Sequence, residues 1–401
     1  MSVSWRLSGF FGVYFAVLGA IVPYFSLYLE SLDFSAPQIG ALMSILLITK
    51  VVAPNFWGYF IDKHQARMLS SRGHNKSLII ALFLSFLFFS LLNVTQGFWW
   101  IALLMVSYSF FWNAVLPQFE ALVYNHLGKQ RFRYGRIRVW GSIGFIVLVI
   151  GMGWALDQYG IMILIPSVSA LLLVLATVSL SIKKSDQAID NKKECSNSVV
   201  NSSFFKLLTP AIVLLLVFSA LGQMSHAPFY TFFSIYLEDY GYSKTQIGWL
   251  WAWGVIAEVF VFLYAHHLLA RCNLQKILAF VFFATAVRWW LVAKFPESIT
   301  FLILAQSLHA ISFGLYHSTM SQIINQHFVG RNQVSGQALY SSFTFGLGGA
   351  LGALLSGFLW LRLGGELLFL YSGILMLFVA IGAWFACYFG DGVHGGGSND
   401  C

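Results

Sequence analysis

Residues 26–40 read SLYLESLDFSAPQIG and residues 234–248 read SIYLEDYGYSKTQIG. Aligned without a gap, they agree at eight of fifteen positions: Ser26/Ser234, Tyr28/Tyr236, Leu29/Leu237, Glu30/Glu238, Ser35/Ser243, Gln38/Gln246, Ile39/Ile247 and Gly40/Gly248. Each stretch separates two long apolar runs. A recurrence 208 positions apart, at matching points of the apolar pattern, predicts a chain made of two related halves of the same orientation. Parallel repeats of this kind are arranged about an axis along the membrane normal, with a binding site near the midplane.

The composition decides what solvent the halves meet. Of 401 residues, 58% are hydrophobic and 9% charged. Soluble domains carry roughly 25% charged residues. Too little polar material is present to clothe a water-facing surface, so a lipid bilayer is the expected partner. Apolar runs recur at 7–29, 38–61, 77–96, 98–126, 138–157, 160–182, 209–237, 245–269, 274–294, 298–326, 334–361 and 366–389. Each is long enough to cross the hydrocarbon as a helix. They are too long and too evenly apolar for barrel strands. The expectation is an all-α membrane protein of twelve transmembrane helices in two pseudo-symmetric six-helix bundles, 1–182 and 209–389. A polar linker (183–208) joins the bundles, and a Gly-rich tail (390–401) follows them. The first run is read as a retained span, because no cleavage signal and soluble domain follow it.

Basic residues set the orientation. With both termini in the cytoplasm, eighteen of the 23 Lys and Arg fall in inward segments, and only Lys244, Lys294 and Arg362 face outward. Lys50 and Arg288 lie inside spans. The net charge of +8 is thereby read as topology rather than as affinity for nucleic acid. The four cysteines form no CxxC pair and show no metal-ligand spacing. No H-E-x-x-H, G-x-S-x-G or Walker loop is present, so an enzyme and an ATP-driven pump are not expected.

The layout resembles the major facilitator superfamily. The loop after the second span, GYFIDKHQAR, is similar to that superfamily's G-x-x-x-D-R/K gate signature, carried here by Gly58, Asp62 and Lys63 with Arg67 downstream. Gln65 stands near the place of the signature's second glycine. In that signature the glycine admits a close helix approach, and the charges lock an inner gate. The run YGRIRVWG (134–141) resembles the branch that holds the phenylpropionate permeases, and more distantly the lactose/proton symporters. Both groups place an acidic residue eighteen positions before the second arginine, here Glu120 and Arg138. The resemblance implies a substrate-binding role for these two. Arg288 and His309 fall where the lactose permease carries two proton-pathway residues. Its acidic pair in the seventh span is replaced here by Gln223 and His226, and its essential glutamate by Ser312. A proton route copied from that permease is therefore not expected.

A charge at the bilayer centre costs roughly 2.5–3.5 kcal/mol on insertion scales and rarely persists without a partner or a task. Five such residues occur: Lys50, Glu120, Arg138, Glu258 and Arg288. Lys50 and Glu258 are again 208 positions apart, so they hold equivalent places. They are expected to face a central cavity, either pairing in one conformation or forming a permanent salt bridge. Glu258 is the candidate proton-coupling site, with Arg288 and His309 as modulators. A Glu258–Arg288 ion pair is the alternative. Lys50, Glu120, Arg138, Asn113, Gln223, His226, Tyr24 and Tyr316 are the candidate substrate-binding residues. Pro228 beside His226 is a place where the seventh helix could break.

With Glu258 protonated, these groups leave two net positive charges, which favours an anion. The resulting expectation is alternating-access, proton-coupled uptake of a small aromatic acid such as 3-phenylpropionate. A proton-coupled sugar or nucleoside symporter is the alternative. No cofactor, metal or nucleic-acid partner is expected. The implied setting is a monomer in the inner membrane with both termini cytoplasmic.

Overall fold

A computed structural model describes residues 3–68, 72–182 and 204–391. No strand occurs among the described residues. The helices are α1 (Val3–Glu30), α2 (Ala36–Met68), α3 (Arg72–Ser90), α4 (Phe98–Leu127), α5 (Tyr134–Tyr159), α6 (Leu164–Leu180), α7 (Pro210–Asp239), α8 (Lys244–Arg271) and α9 (Leu274–Lys294). They are followed by α10 (Ile299–His327) and by a long run, Gln333–Ala386, which contains α11 (333–363) and α12 (365–386). Eleven stretches are long and apolar enough to span a membrane, and the last of them has 54 residues. At 1.5 Å per residue such a run reaches ~80 Å, far beyond a hydrocarbon core of about 30 Å. It is not one straight rod, because Gly364 takes φ 75° and ψ 174° inside it. A side chain there would clash with its own backbone, and glycine adopts the conformation freely. The break is compatible with the twelve expected crossings. α7 runs without interruption through Pro228, so the expected break beside His226 does not occur. Most of the 183–208 linker and the end of the 390–401 tail lie outside the described residues. At the linker's far end Phe204–Leu207 forms a 3₁₀ turn.

By contacts the chain divides into two compact units, Met1–Ser198 with Tyr242–Trp249, and Val199–Gly241 with Leu250–Cys401. In the first unit α1 packs along α5 and α6, while α3 packs on α4 and α6. Apolar burial drives no association between helices in lipid, so close backbone approach must supply contact energy. The α1–α5 seam does this with small residues: a Cβ on Gly144 would collide with the carbonyl of Gly12, and one on Gly19 would lie 2.8 Å from the carbonyl of Phe145. The second unit repeats the device between α7 and α11. A Cβ on Gly348 would sit 2.8 Å from the carbonyl of Ala220, and one on Gly352 would sit 2.7 Å from Ala227.

The repeated sequence becomes repeated structure. Ser35 and Ser243 each donate their backbone N–H to the side chain three residues on, Gln38 and Gln246, at 2.9 Å in both cases. These are capping boxes that start α2 and α8. Asp33 has φ 59° and Gly241, 208 positions later, has φ 82°, so both turns share one left-handed residue. Tyr28 and Tyr236 each reach carbonyls at the end of the third helix of their half, Leu92 at 3.5 Å and Val292 at 3.4 Å.

Candidate functional site

In the first unit the expected residues gather on α1, α2, α4 and α5. Arg138 lays its guanidinium 3.9 Å above the ring of Phe15 and 5.4 Å from that of Phe11. Glu120 accepts a hydrogen bond from the Tyr134 hydroxyl at 2.9 Å. Both charges act on Tyr14, whose ring stacks on Trp112 at 4.4 Å with a 4° interplanar angle. Among the described residues Glu120 and Arg138 form no ion pair with each other. Each is held separately, the acid by a phenol and the base by ring faces. Asn113 donates to the carbonyl of Leu46 at 3.1 Å and to Thr49 Oγ1 at 2.8 Å, which fixes α4 against α2.

Lys50 follows Thr49 on α2 and is exposed. Which side it faces can be worked out from helix geometry. Ile48, Val52, Phe56 and Tyr59 are exposed and apolar, at the i, i+4, i+8, i+11 spacing of one stripe. At 3.6 residues per turn Lys50 projects about 200° from both Ile48 and Val52. It lies on the opposite side, next to the α4 contact, and has no ion pair among the described residues.

The second unit assembles a denser cluster from α7 to α10. Arg288 is wholly buried. It donates through Nη1 to Ser312 Oγ and through Nη2 to Gln306 Oε1, each at 3.1 Å. Its guanidinium lies 4.3 Å from the ring centroids of both Phe229 and Trp289. The hydrogen bonds thus go to neutral oxygens and not to a carboxylate, and Nε has no partner. His226 contacts the Gly222 carbonyl through Nδ1 at 2.8 Å. A carbonyl only accepts, so Nδ1 carries a proton, and Nε2 is buried and unpartnered. His309 is buried against Phe313 and Phe229, with Nδ1 also unpartnered. Glu258 packs its Cγ 3.1 Å from where a Cβ on Gly314 would lie. That glycine belongs to a π-helical segment of α10, Ala310–Leu315. Tyr230 lies within electrostatic range of both Arg288 and Glu258. A cavity of about 10 Å³ is lined by Gln223, His226, Thr285, Ser312, Phe313 and Tyr316, among others. It has room for about one water.

Tyr24, another of the expected set, bonds to main chain. It is fully buried and its hydroxyl donates to the Val149 carbonyl at 2.7 Å, so it ties helices together. At Gly58 a Cβ would meet nothing within 4 Å, and the close approach implied by the gate signature is not made there. Lys63 lies 5.7 Å over the ring of Tyr59, while the side chains of Asp62 and Arg67 lie outside the described residues. Tyr14 and Gln306 are contributors that the sequence reading passed over, and Tyr134 entered it only as the first residue of the YGRIRVWG run. Gln306 had a signal, a lone amide in an apolar run one turn before His309.

Helices long and apolar enough to span a membrane, in two contact units with polar and charged groups buried among apolar neighbours, define a polytopic membrane protein. Residues 4–371 match the MFS_1 like family, and the chain belongs to it. It is 25% identical over 373 residues to the probable 3-phenylpropionic acid transporter of Escherichia coli (strain K12), covering 90% of this chain and 92% of that one. It is 26% identical over 353 residues to the maltose permease of Geobacillus stearothermophilus, covering 87% and 86%. Among solved structures, the nucleoside transporter NupG superimposes with a TM-score of 0.82 at 18% identity, over 96% of this chain and 99% of that one.

Proposed function

We propose that this transporter is a proton-coupled symporter that takes up a small aromatic acid, of the 3-phenylpropionate type, by alternating access. One observation carries the reading. Lys50 and Arg138 are cations without an ion-pair partner among the described residues, and Arg138 sits among the rings of Phe11 and Phe15. A carboxylate would satisfy the cations by charge-assisted hydrogen bonds, and a phenyl group would stack beside Tyr14 and Trp112. The named function of the Escherichia coli relative supports the same substrate class. Glu258 is the proposed proton carrier. It lies in an apolar helix beside a π segment, and Arg288, whose hydrogen bonds go elsewhere, supplies a fixed positive field nearby. His309 tunes that field. The protein works as a monomer in the inner membrane with cytoplasmic termini. Gly58, Asp62, Lys63 and Arg67 form its inner gate.

One observation favours a second reading. The cavity in the second unit, closed down to about one water in this conformation, is lined in part by neutral hydrogen-bonding residues, namely Gln223, His226, Thr285, Ser312 and Tyr316. Such a lining suits substrate hydroxyls, as in a sugar or nucleoside symporter, and the named maltose and nucleoside relatives belong to that class.

A thermal-shift panel of aromatic acids, sugars and nucleosides on purified protein separates the two. Stabilisation by acids alone supports the first reading, and stabilisation by sugars or nucleosides alone replaces it with the second. The hit is then tested in liposomes. Glu258→Gln is expected to retain counterflow exchange and to lose accumulation driven by a pH gradient. Full accumulation by this variant removes Glu258 from the coupling.

A further inference from the structure

The last turn of α5 holds a carboxylate with an unusual set of partners. Asp157 accepts the backbone N–H of Lys244 through Oδ1 at 2.9 Å. Its Oδ2 accepts the N–H of Thr245 at 2.8 Å and the Thr245 hydroxyl at 2.5 Å. These amides open α8 and have no partner inside the helix. α8 already has its own cap in Ser243 and Gln246. Asp157, 87 residues away in sequence, therefore supplies a second cap from another helix.

The backbones close in around it. A Cβ on Gly153, one turn before Asp157, would strike the carbonyl of Lys244. One on Gly248, a turn beyond Lys244, would lie 2.7 Å from the carbonyl of Val149 and 2.5 Å from the Tyr24 hydroxyl. That hydroxyl donates to Val149 and lies 3.2 Å from the carbonyl of Lys244. The start of α8 accordingly groups with the first unit, up to Trp249, while the same helix from Leu250 onward groups with the second. The contact is built from an exposed carboxylate, a phenol, two glycines and main chain. The three hydrogen bonds of Asp157 itself are exposed, so water can replace them when the segments part.

We propose that Asp157 is a releasable latch of the transport cycle. It holds the start of α8 on α5 in this conformation and lets go when that end of the molecule opens. The proposal rests on the alternating-access reading above, but not on any substrate or on proton coupling. Only one half carries the latch. At the positions matching Lys244 and Thr245 the first half has Ala36 and Pro37. Proline offers neither an N–H nor a hydroxyl.

Hydrogen–deuterium exchange on the full-length protein in nanodiscs tests this without substrate. Asp157→Asn is expected to speed exchange of 242–249 by on the order of tenfold, the scale of one charge-assisted hydrogen bond. Because opening parts both segments, 150–159 should accelerate with it, and 35–40 should not change. Thr245→Pro copies the first half's own residue in a first-turn position that tolerates proline. It should give the same pattern even if Asp157→Asn does not fold, and the double variant should be no faster than either single one. Unchanged exchange at 242–249 in both variants overturns the latch. So does acceleration confined to the amides of 244 and 245, which is what a static cap gives, or acceleration spread evenly over all helices.

Discussion

Arg288 offers a test in which the conservative substitution is expected to be the worse one. Its two hydrogen bonds, each 3.1 Å long, join a cation to neutral oxygens. At about 1.5 kcal/mol apiece they contribute ~3 kcal/mol. Two desolvated ring contacts at 4.3 Å add roughly 2–4 kcal/mol. Against this stands the burial of an ion, which costs several kcal/mol after relaxation. The sum is near zero. Arg288→Met removes both sides of the balance. It leaves Gln306 Oε1 without its donor, at about 1–3 kcal/mol, while Ser312 keeps its bond to the His309 carbonyl. The Met variant should stay within about 2 kcal/mol of the parent. Arg288→Lys keeps the charge and its desolvation cost but loses the planar fork, so one hydrogen bond and most of the ring stacking disappear. It should be less stable than the parent by roughly 2–4 kcal/mol. Thermal unfolding in detergent, followed by tryptophan fluorescence, ranks the three as parent, then Met, then Lys. A Lys variant as stable as the parent beside a Met variant that unfolds far earlier would refute this accounting. It would mean that the positive charge itself holds the second unit together.

Two further outcomes probe the first unit. Gly144→Val drives a side chain into the carbonyl of Gly12, whereas a Cβ on Gly151 meets nothing within 4 Å. Valine at 144 is expected to destabilise by about 3 kcal/mol or more and at 151 by less than ~0.5 kcal/mol, read as melting temperature. Tyr134→Phe deletes the donor to Glu120. About 1–2 kcal/mol of stability should be lost, and if Glu120 binds cargo the half-saturating concentration should move while the maximal rate holds.

The features legible in the sequence were those set by period and length. Twenty-residue apolar runs have one solution in lipid, and a gapless repeat fixed which loops are equivalent, down to the shared left-handed residue at Asp33 and Gly241. Side-chain partners were harder to read. Charge physics suggested a carboxylate for Arg288, but the chain uses an amide, a hydroxyl and two ring faces, all common groups that bear no mark of their job. Tyr24 looked like a cavity residue because a tyrosine in an apolar helix suggests one. Its partners are main-chain carbonyls of distant segments, which no residue type announces. Gly58 matched a motif whose close approach depends on a neighbouring helix, and nothing presses on it in this conformation.

Duplication explains the scaffold, and departures from it explain where chemistry concentrates. α4 and α5 contain no π segment, although α4 carries Pro117. In the second unit α10 widens into a π segment at Ala310–Leu315, and α11 does so at Ser342–Gly348. A π turn admits one extra residue, loosens the main-chain ladder and re-aims the side chains that follow, which is why such turns gather at functional sites. Here the widened turn of α10 carries Ser312, which bonds Arg288, and Gly314, whose missing side chain leaves room for the Cγ of Glu258. Tyr316 of the cavity follows directly. Lys50 and Glu258 occupy equivalent positions of the repeat with opposite charge, one on a helix that carries Pro54 a turn later and one packed on a π turn. The first half thus presents its aromatic and cationic contacts on helices without a π segment. The second half gives up regularity where an acid must sit among unpartnered donors and acceptors, and changes in coupling should map to α7–α10 before they map to α1–α5.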